Sequence, residues 1–320
     1  MIPLSNFFEK LTAARNALYE RGVFKVERLA APVISVGNIS VGGAGKTPLV
    51  IALGAELSKR GIPFDILSRG YRRTKKGTLR LPEHADPLQF GDEPALLQKE
   101  LEVPIFVANR RVEAGRISEG EQERRIHVLD DGFQHRQLHR DFNIVVLSPS
   151  DLSDQLLPVG RLREPVSSLR RADAVVVPEG FDQDIPGFNG AIWRIRRRLV
   201  FDGDANGAAL AFCGLAKPDQ FLELLRQSGI DARGILAFPD HHTYRERDFV
   251  SITSKAREIG ADLFITTSKD AIKLERLQLT PDFQRRLRVA RLITEIIEPQ
   301  QVLDHLVSTL RQRCPAWFAR

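Results

Sequence analysis

A glycine-rich turn at residues 40–47, SVGGAGKT, carries the strongest chemical signal in the chain. It follows an apolar run typical of a buried strand, at 33–38, and precedes a stretch typical of a helix, at 47–59. Glycines allow a tight turn whose backbone N–H groups converge on one point, and the following helix adds partial positive charge. We therefore predict a phosphate-binding loop made of Ser40, Val41, Gly42, Gly43, Ala44, Gly45, Lys46 and Thr47.

Two side chains of this loop add functional groups that the backbone lacks. Lys46 can reach the β- and γ-phosphates of a nucleotide, and the Thr47 hydroxyl can bind Mg²⁺. The strict form of the motif has a glycine six residues before the lysine, where this chain has Ser40. Because strand, turn and helix follow in the expected order, we interpret the segment as a nucleotide site.

A second apolar run ends in two adjacent aspartates, Asp130 and Asp131, within IHVLDDG at 126–132. A P-loop enzyme needs a carboxylate at the end of a neighbouring strand to hold its metal ion. By themselves the two aspartates are better explained as a turn cap, but beside a P-loop we favour the metal role. Since successive side chains of a strand point to opposite faces, only one of them is expected to face Mg²⁺ directly.

The elements that must position these groups alternate along the chain. Runs rich in β-branched residues occur at 33–38, 64–70, 103–108, 126–131, 142–148 and 172–178. Helical patterns fall between several of them, at 93–101 and 111–119. Strands that alternate with helices predict an α/β fold with a mostly parallel sheet covered on both faces. Ligands of such sheets gather at the carboxyl ends of the strands.

The pattern changes beyond the sixth of these strands. AIWRIRRRLVF at 191–201 alternates apolar and basic residues, as a half-exposed strand does, and DGDANG at 202–207 is rich in turn formers. We predict a β-hairpin linker over 191–207, between a P-loop core at 1–190 and a smaller α/β domain at 208–320. A length of 320 residues fits two domains.

Composition excludes several classes of protein. The chain is 42% apolar and 28% charged, which excludes wholesale disorder. Its two cysteines cannot form a disulfide framework and do not have metal-ligand spacing. No apolar run approaches the ~18–20 residues of a spanning helix, and the first residues do not have the pattern of a signal peptide.

Basic residues outnumber acidic ones by 47 to 41, for a formal net charge of +6. Most of the basic residues are arginines, whose planar guanidinium suits bidentate contact with phosphates. Anionic partners and genome composition explain this balance equally well. The RIRRR run at 194–198 has no nucleic-acid-reading module beside it, so we predict no nucleic-acid partner.

The first thirty residues predict an amphipathic helix. Apolar residues recur at steps of three and four, at Leu4, Phe7, Phe8, Leu11, Ala14 and Leu18. Basic residues lie beside or between them, at Lys10, Arg15, Arg21, Lys25 and Arg28. Such a helix either packs on the core or lies in a membrane interface with its basic groups near anionic headgroups.

Six motifs follow one another in a characteristic order. They are SVGNISVGGAGKTP (35–48), LSRGY (67–71), GDEPALL (91–97), LDDGFQHR (129–136), LPVGRLREP (158–165) and FPDHHTY (238–244). Each motif is moderately specific, and the ordered combination is highly specific. So arranged, the chain resembles the tetraacyldisaccharide 4′-kinases, the lipid A 4′-kinases of Gram-negative bacteria. The resemblance covers nearly the whole chain.

This resemblance implies a reaction, a location and a fold. The family transfers the γ-phosphoryl group of ATP, with Mg²⁺, to the 4′-hydroxyl of a tetraacylated glucosamine disaccharide 1-phosphate, giving lipid IVA. It works at the cytoplasmic face of the inner membrane, so we expect peripheral association through the N-terminal helix. The implied fold is a P-loop NTPase core and a smaller α/β domain, with the nucleotide between them.

Roles for individual residues follow from the same resemblance. Asp92 matches the base that accepts the hydroxyl proton, and His241 matches the residue that orients this base. The other matched positions are the P-loop residues Lys46 and Thr47, the metal carboxylates Asp131 and Glu164, and the nearby Tyr71, Asp130 and Gln134. The family's TEKD segment appears here as TSKD at 267–270, without the glutamate, and we assign it no role.

Simpler explanations exist for some of these features. Asp92 precedes a helical pattern and is a good N-cap, which is compatible with a catalytic role, and His241 alone is typical of a surface loop. For the whole protein, the alternative is a P-loop NTPase regulator or assembly factor. A GTPase-type regulator carries an N-K-x-D motif, whose asparagine TSKD lacks. The oligomeric state and the acyl-chain preference stay open.

Overall fold

A computed structural model describes residues 4–43, 45–121 and 123–319, without the side chains of residues 4–8. Within these described residues, twelve strands form one sheet. They are β1 Val33–Asn38, β2 Phe64–Ser68, β3 Leu79–Arg80, β4 Ile105–Val107, β5 Ile126–Asp130, β6 Phe142–Val146, β7 Ala174–Pro178, β8 Ala191–Phe201, β9 Ala209–Cys213, β10 Ala232–Ala237, β11 Leu263–Thr267 and β12 Leu287–Ile296.

The helices lie between and around these strands. They are α1 Leu4–Glu20, α2 Lys46–Lys59, α3 Pro87–Phe90, α4 Asp92–Glu100, α5 Arg111–Glu119, α6 Pro218–Gln227, α7 Glu246–Glu258, α8 Ser268–Leu274, α9 Pro281–Arg286, α10 Pro299–Arg313 and α11 Pro315–Phe318. Short 3₁₀ helices span Pro149–Leu152 and Val166–Arg171. The predicted strands and helices of the first 190 residues are present within a few residues of their expected ends.

The strand order is β10-β9-β11-β12-β8-β7-β6-β1-β5-β2-β4-β3. All neighbours in this order are parallel except β12 with β8 and β3 with β4, which confirms the predicted mostly parallel α/β sheet. In the register of β1 with β5, Val36 lies opposite Asp130. The loops that follow these two strands therefore leave the same edge of the sheet.

The predicted local hairpin over 191–207 is wrong. The antiparallel partner of β8 is β12, with Arg198 opposite Ile293 and Phe201 opposite Ala290, and residues 202–207 lead instead into β9. The error arose because β12 was not predicted as a strand, and because turn residues report a chain reversal without identifying the partner strand. Strand β11 ends at Thr267, whose hydroxyl accepts a hydrogen bond from the Asp270 N–H and caps α8.

Apolar side chains cover the central sheet on both faces. Ile34 and Val36 of β1 pack on one face in a core that includes Leu53 of α2, whereas Val33 packs on the other face with Val112 of α5. Alternate residues of β9 divide between two further cores in the same way. Burial on both faces explains why these strands are almost continuously apolar in sequence.

Helix α1 packs on the core through its second half. The Asn16 side-chain amide donates to Glu164 at 3.0 Å, and Glu20 forms an ion pair with Arg170 at 3.0 Å. Leu11 is 59% exposed, and the side chains of Leu4, Phe7 and Phe8 lie outside the described residues. Among the helices that the structure describes, none has the length and apolarity to cross a bilayer.

A buried charged cluster lies near the amino-terminal ends of β2 and β5, which is the end of the sheet opposite the P-loop. His127 Nδ1 is 2.7 Å from an Asp65 carboxylate oxygen, and Nε2 is 3.8 Å from Glu119. The Ser118 hydroxyl donates to the other oxygen of Asp65. Burial alone would lower the pKa of His127, but the two carboxylates raise it to about 9. The cluster therefore holds a protonated imidazole at neutral pH.

We expect this imidazolium to make stability pH-dependent between about pH 6.5 and pH 9. Because the pKa of His127 is higher in the folded chain than its ordinary 6.5, its contribution is complete below pH 6.5 and is lost as the pH rises through 9. The loss is on the order of 3 kcal/mol. Urea unfolding of the wild type and His127→Gln should give a difference in stability that shrinks across this range, and a constant difference would contradict the assignment.

Candidate active site

The glycine-rich loop has the geometry of a phosphate cradle. It leaves the end of β1 and enters α2 at Lys46, as the sequence predicted. Gly42 and Gly45 have φ angles of 99° and 84°, a region that residues with a Cβ rarely adopt. A Cβ on Gly45 would also lie 2.3 Å from a guanidinium nitrogen of Arg197 on β8. Of the predicted loop residues, Ala44 lies outside the described part of the chain.

Lys46 is held in place by polar groups at the ends of two strands. Its ammonium donates to Asn38 Oδ1 at 3.0 Å and lies 3.4 Å from Asp131 Oδ1. The Arg163 guanidinium donates to both Asp131 oxygens, at 3.1 and 3.2 Å, and also to Asn38 Oδ1. Two cations thus converge beside the loop, which suits a polyphosphate ligand.

Asn38 and Arg163 are site residues that the sequence interpretation missed. Both lie within motifs that carried the family resemblance, SVGNISVGGAGKTP and LPVGRLREP. Their position inside those motifs was the available signal, but nothing local to either residue identifies the other as its partner, because they are 125 positions apart.

The adjacent aspartates have different surroundings. Asp131 directly follows β5 with a left-handed φ of 53°, and although burial alone would raise its pKa, Lys46 and Arg163 lower it to about 2. Asp130 is buried, and its burial together with the charges of Asp131 and Glu93 raises its pKa to about 7. Asp131 is therefore the ionised member of the pair.

The donors available for Mg²⁺ are oxygen atoms, as this ion prefers. They include the Thr47 hydroxyl at the start of α2 and the Asp131 carboxylate, and this donor set fits a P-loop magnesium ion that is completed by phosphate and water. Within 4–43, 45–121 and 123–319, no group of three or more His, Cys, Asp or Glu side chains is arranged as a metal site by itself.

Glu164, the other predicted metal carboxylate, faces a different set of groups. Its side chain is buried, and its Oε2 accepts hydrogen bonds from Asn16 of α1, at 3.0 Å, and from the Arg171 guanidinium. The described contacts of its carboxylate are thus with α1 and Arg171, not with Thr47 or Asp131. Its backbone N–H donates to Ile39 O at 3.3 Å, which keeps the residue next to the phosphate loop.

Asp92 and His241, 149 positions apart, meet in the structure. Asp92 is the first residue of α4, directly after Gly91 with a φ of 101°, and His241 has a left-handed φ of 60° in the loop after β10. The Nδ1–H of His241 donates to Asp92 Oδ2 at 2.9 Å. The side chain of Asp92 is 13% exposed, so the pair is open to a ligand on a small area only.

Two lysines of α8 complete this site, and neither was predicted. Lys273 lies 3.1 Å from Asp92 Oδ2, and Lys269 lies 3.3 Å from His241 Nε2 and 3.1 Å from Glu93. Burial alone would raise the pKa of Asp92, but the hydrogen bond from His241 and the charge of Lys273 lower it below its usual value. Lys269 belongs to the TSKD segment, to which the sequence interpretation assigned no role.

Tyr71 and Gln134 connect these groups to their surroundings. The Tyr71 ring packs edge-on against His241 with a centroid distance of 5.2 Å, and Tyr71 is 50% exposed. The Gln134 amide donates to Asn38 O at 2.9 Å, while its backbone carbonyl accepts from Arg15 of α1. Tyr71 thus belongs to the Asp92–His241 group, and Gln134 links the N-terminal helix to the phosphate loop.

Comparison with known proteins gives consistent matches. The family model described as Tetraacyldisaccharide-1-P 4′-kinase matches residues 1–311. A Tetraacyldisaccharide 4′-kinase of Koribacter versatilis is 40% identical over 325 residues, covering 98% of this chain and 99% of its own. The Aquifex aeolicus protein of the same name is 38% identical over 292 residues, covering 86% and 89%.

A solved structure is also similar over most of its length. The crystal structure of LpxK from Aquifex aeolicus in complex with ATP matches with a TM-score of 0.75 and 32% identity, covering 96% of this chain and 98% of that one. The mixed α/β architecture with its large, mostly parallel sheet is therefore shared with that protein.

Proposed function

The chain belongs to the tetraacyldisaccharide-1-phosphate 4′-kinase family, and on this premise we propose the reaction that its site performs. The protein is a kinase that transfers the γ-phosphoryl group of ATP to the 4′-hydroxyl of a tetraacylated glucosamine disaccharide 1-phosphate, in lipid A biosynthesis. The product is lipid IVA. The observation that supports this role most directly is the Asp92–His241 contact, because an NTPase that only drives a partner has no need of a base for a sugar hydroxyl.

Binding of the nucleotide rests on the phosphate loop. Its backbone N–H groups and the Lys46 ammonium bind the phosphate oxygens and offset their negative charge. Thr47 and Asp131 would hold Mg²⁺, with Glu164 as a further candidate, and the ion would neutralise charge on the phosphates. The guanidinium of Arg163, which contacts Asp131, adds positive charge beside Lys46 at the phosphate loop.

Transfer requires removal of a proton from an unactivated secondary alcohol. The 4′-oxygen forms a bond to the γ-phosphorus while the bond from this phosphorus to the bridging oxygen breaks, and ADP leaves with the electron pair. The hydroxyl proton passes to the Asp92 carboxylate, which is ionised before the reaction. His241 holds that carboxylate through Nδ1–H, and Tyr71 packs against the imidazole.

Incubation with Mg²⁺–ATP and the acylated disaccharide 1-phosphate tests this function. We expect one added phosphate per disaccharide, placed on the 4′-oxygen by NMR of the product, and no phosphorylated product from a 4′-deoxy acceptor. ATP hydrolysis without phosphorylation of the disaccharide would instead favour the alternative, a P-loop regulator or assembly factor.

We further propose that the protein associates peripherally with the cytoplasmic face of the inner membrane through its N-terminal region, because a four-chain lipid substrate is confined to the bilayer. Large apolar side chains are exposed there, at Leu11, Val23, Phe24 and Val26. Exposed basic side chains lie among them in sequence, at Lys10, Arg21, Lys25 and Arg28. This combination is typical of segments that insert apolar groups between anionic headgroups.

Charged replacements on this surface should weaken vesicle binding. We expect Leu11→Glu and Val23→Glu each to lower affinity for vesicles containing anionic lipid by roughly tenfold, about 1.4 kcal/mol, since each removes an inserting apolar group. Val250→Glu is a matched control, because Val250 is 70% exposed on α7, far along the chain from this surface. Equal flotation of all three variants and the wild type would contradict docking through this region.

A further inference from the structure

Lys273, next to the Asp92–His241 pair, forms ion pairs with two carboxylates. It lies on α8 with a side chain that is only 5% exposed. Its Nζ is 3.1 Å from Asp92 Oδ2 and 3.2 Å from Asp270 Oδ1. A buried ammonium is costly unless it is paired, and the two carboxylates offset this cost for Lys273.

Asp270 is itself fixed by the surrounding backbone. Its side chain is fully buried, and Oδ2 accepts hydrogen bonds from the Gly214 N–H at 3.1 Å and the Thr267 hydroxyl at 2.8 Å. These bonds join the end of β11 to the loop after β9. Asp270 therefore gives Lys273 a rigid partner, and Lys273 in turn presents a fixed donor to Asp92.

The two donors to Asp92 act on the same oxygen. Both His241 Nδ1 and Lys273 Nζ contact Oδ2, and in the described part of the chain the side-chain polar contacts of this carboxylate all involve that atom. Because Oδ2 is occupied by two donors, Oδ1 is the oxygen that can take up a proton from a ligand.

We propose that Lys273, anchored by Asp270, is a positioning residue that holds Asp92 with Oδ1 available to the acceptor hydroxyl and keeps the carboxylate ionised until the acceptor binds. This inference rests on the proposed kinase function. It gives the TSKD segment and the helix after it a role in the reaction without direct contact between Lys273 and substrate.

The other charged groups around Asp92 do not place an ammonium against its carboxylate as Lys273 does. Lys269 also lies on α8, but it is balanced by Glu93, at 3.1 Å, and by Asp240, at 3.7 Å. From the loop after β10, His241 contributes its Nδ1–H, and its Nε2 faces Lys269, Glu93 and Asp240. The direct ammonium contact of Asp92 is therefore made by Lys273, and the charge of this lysine contributes to the lowered pKa of Asp92.

The pH dependence of kcat tests this role. In Lys273→Met, which keeps the apolar stem and removes the charge, we expect the acid limb of the profile to move at least one pH unit upward. We expect kcat at pH 7.5 to fall roughly 10–100-fold, a change of about 1.4–2.7 kcal/mol, with KM for ATP within twofold of the wild type. Lys273→Arg should restore part of kcat and of the wild-type acid limb.

Lys255→Met on α7 is the matched control, because the Lys255 side chain is 40% exposed and forms an i,i+3 ion pair with Glu258. Since Lys273→Met leaves the buried Asp270 carboxylate without its ammonium partner, Lys273→Met/Asp270→Asn, which also removes the charge of Asp270, is measured in parallel. A folded variant lacking Lys273 that keeps the wild-type acid limb would overturn the proposal. A wild type that phosphorylates no disaccharide would refute the proposed function instead.

Discussion

Replacing Asp92 with asparagine is expected to lower kcat for phosphorylation of the disaccharide by about 10²–10⁴-fold. The amide has nearly the same shape as the carboxylate but cannot accept the hydroxyl proton. Nucleotide binding should be preserved, because the described contacts of Asp92 are with His241 and Lys273, and Lys46 is held separately by Asn38. Steady-state kinetics with labelled ATP would measure kcat and both KM values.

Asp282→Asn provides the control for this substitution. Asp282 lies on α9 with a side chain that is 58% exposed, and it pairs with Arg285. The same chemical change there should leave kcat within the error of the assay. If Asp92→Asn keeps more than about a third of the wild-type kcat, Asp92 is not the base and the proton must leave by another route.

The second large effect is expected at the phosphate loop. Lys46→Met should lower kcat/KM for ATP by about 10²–10³-fold, because it removes a fixed cation from the place where phosphate charge is bound. Lys46 lies 3.4 Å from Asp131, so the change also removes one of the charges that lower the pKa of that carboxyl. Kinetics combined with calorimetric titration of an ATP analogue would separate binding from transfer.

Lys59→Met, at the other end of helix α2, is the matched variant. The Lys59 side chain is 69% exposed and pairs with Glu56 one turn earlier, so we expect wild-type kinetics. Wild-type affinity for the analogue in Lys46→Met, together with unchanged kcat, would show that the glycine-rich loop is not the phosphate site.

Local features of the site were predictable because consecutive residues create them. The glycines, the lysine and the threonine of the loop are neighbours in sequence, and the required φ angles and the start of α2 follow from that string. The Asp92–His241 contact was anticipated in a different way, through the family motifs, since no local pattern connects residues 149 positions apart.

The partners of the charged groups were not predictable in the same manner. Local sequence does not identify the partner of Arg163 or of Lys273, and each gains its role from a carboxylate on a distant element. The segment 191–207, predicted as a hairpin linker, shows most clearly that a partner could not be predicted from sequence. The alternation of apolar and basic residues in β8 was recognised, but its partner is β12, where Glu295 accepts a hydrogen bond from Arg198 at 2.7 Å.

The sequence by itself determined the alternation of strands and helices, the phosphate loop and the family, because periodicity and short motifs are properties of neighbouring residues. The tertiary structure decided which groups meet: Lys46 with Arg163 at Asp131, and His241 with Lys273 at a single oxygen of Asp92. The physical reason is that burial and charge pairing act between elements that the sheet order brings together. The pKa values of about 2 and about 7 at the adjacent Asp131 and Asp130 therefore arise from the fold, and not from the residue types.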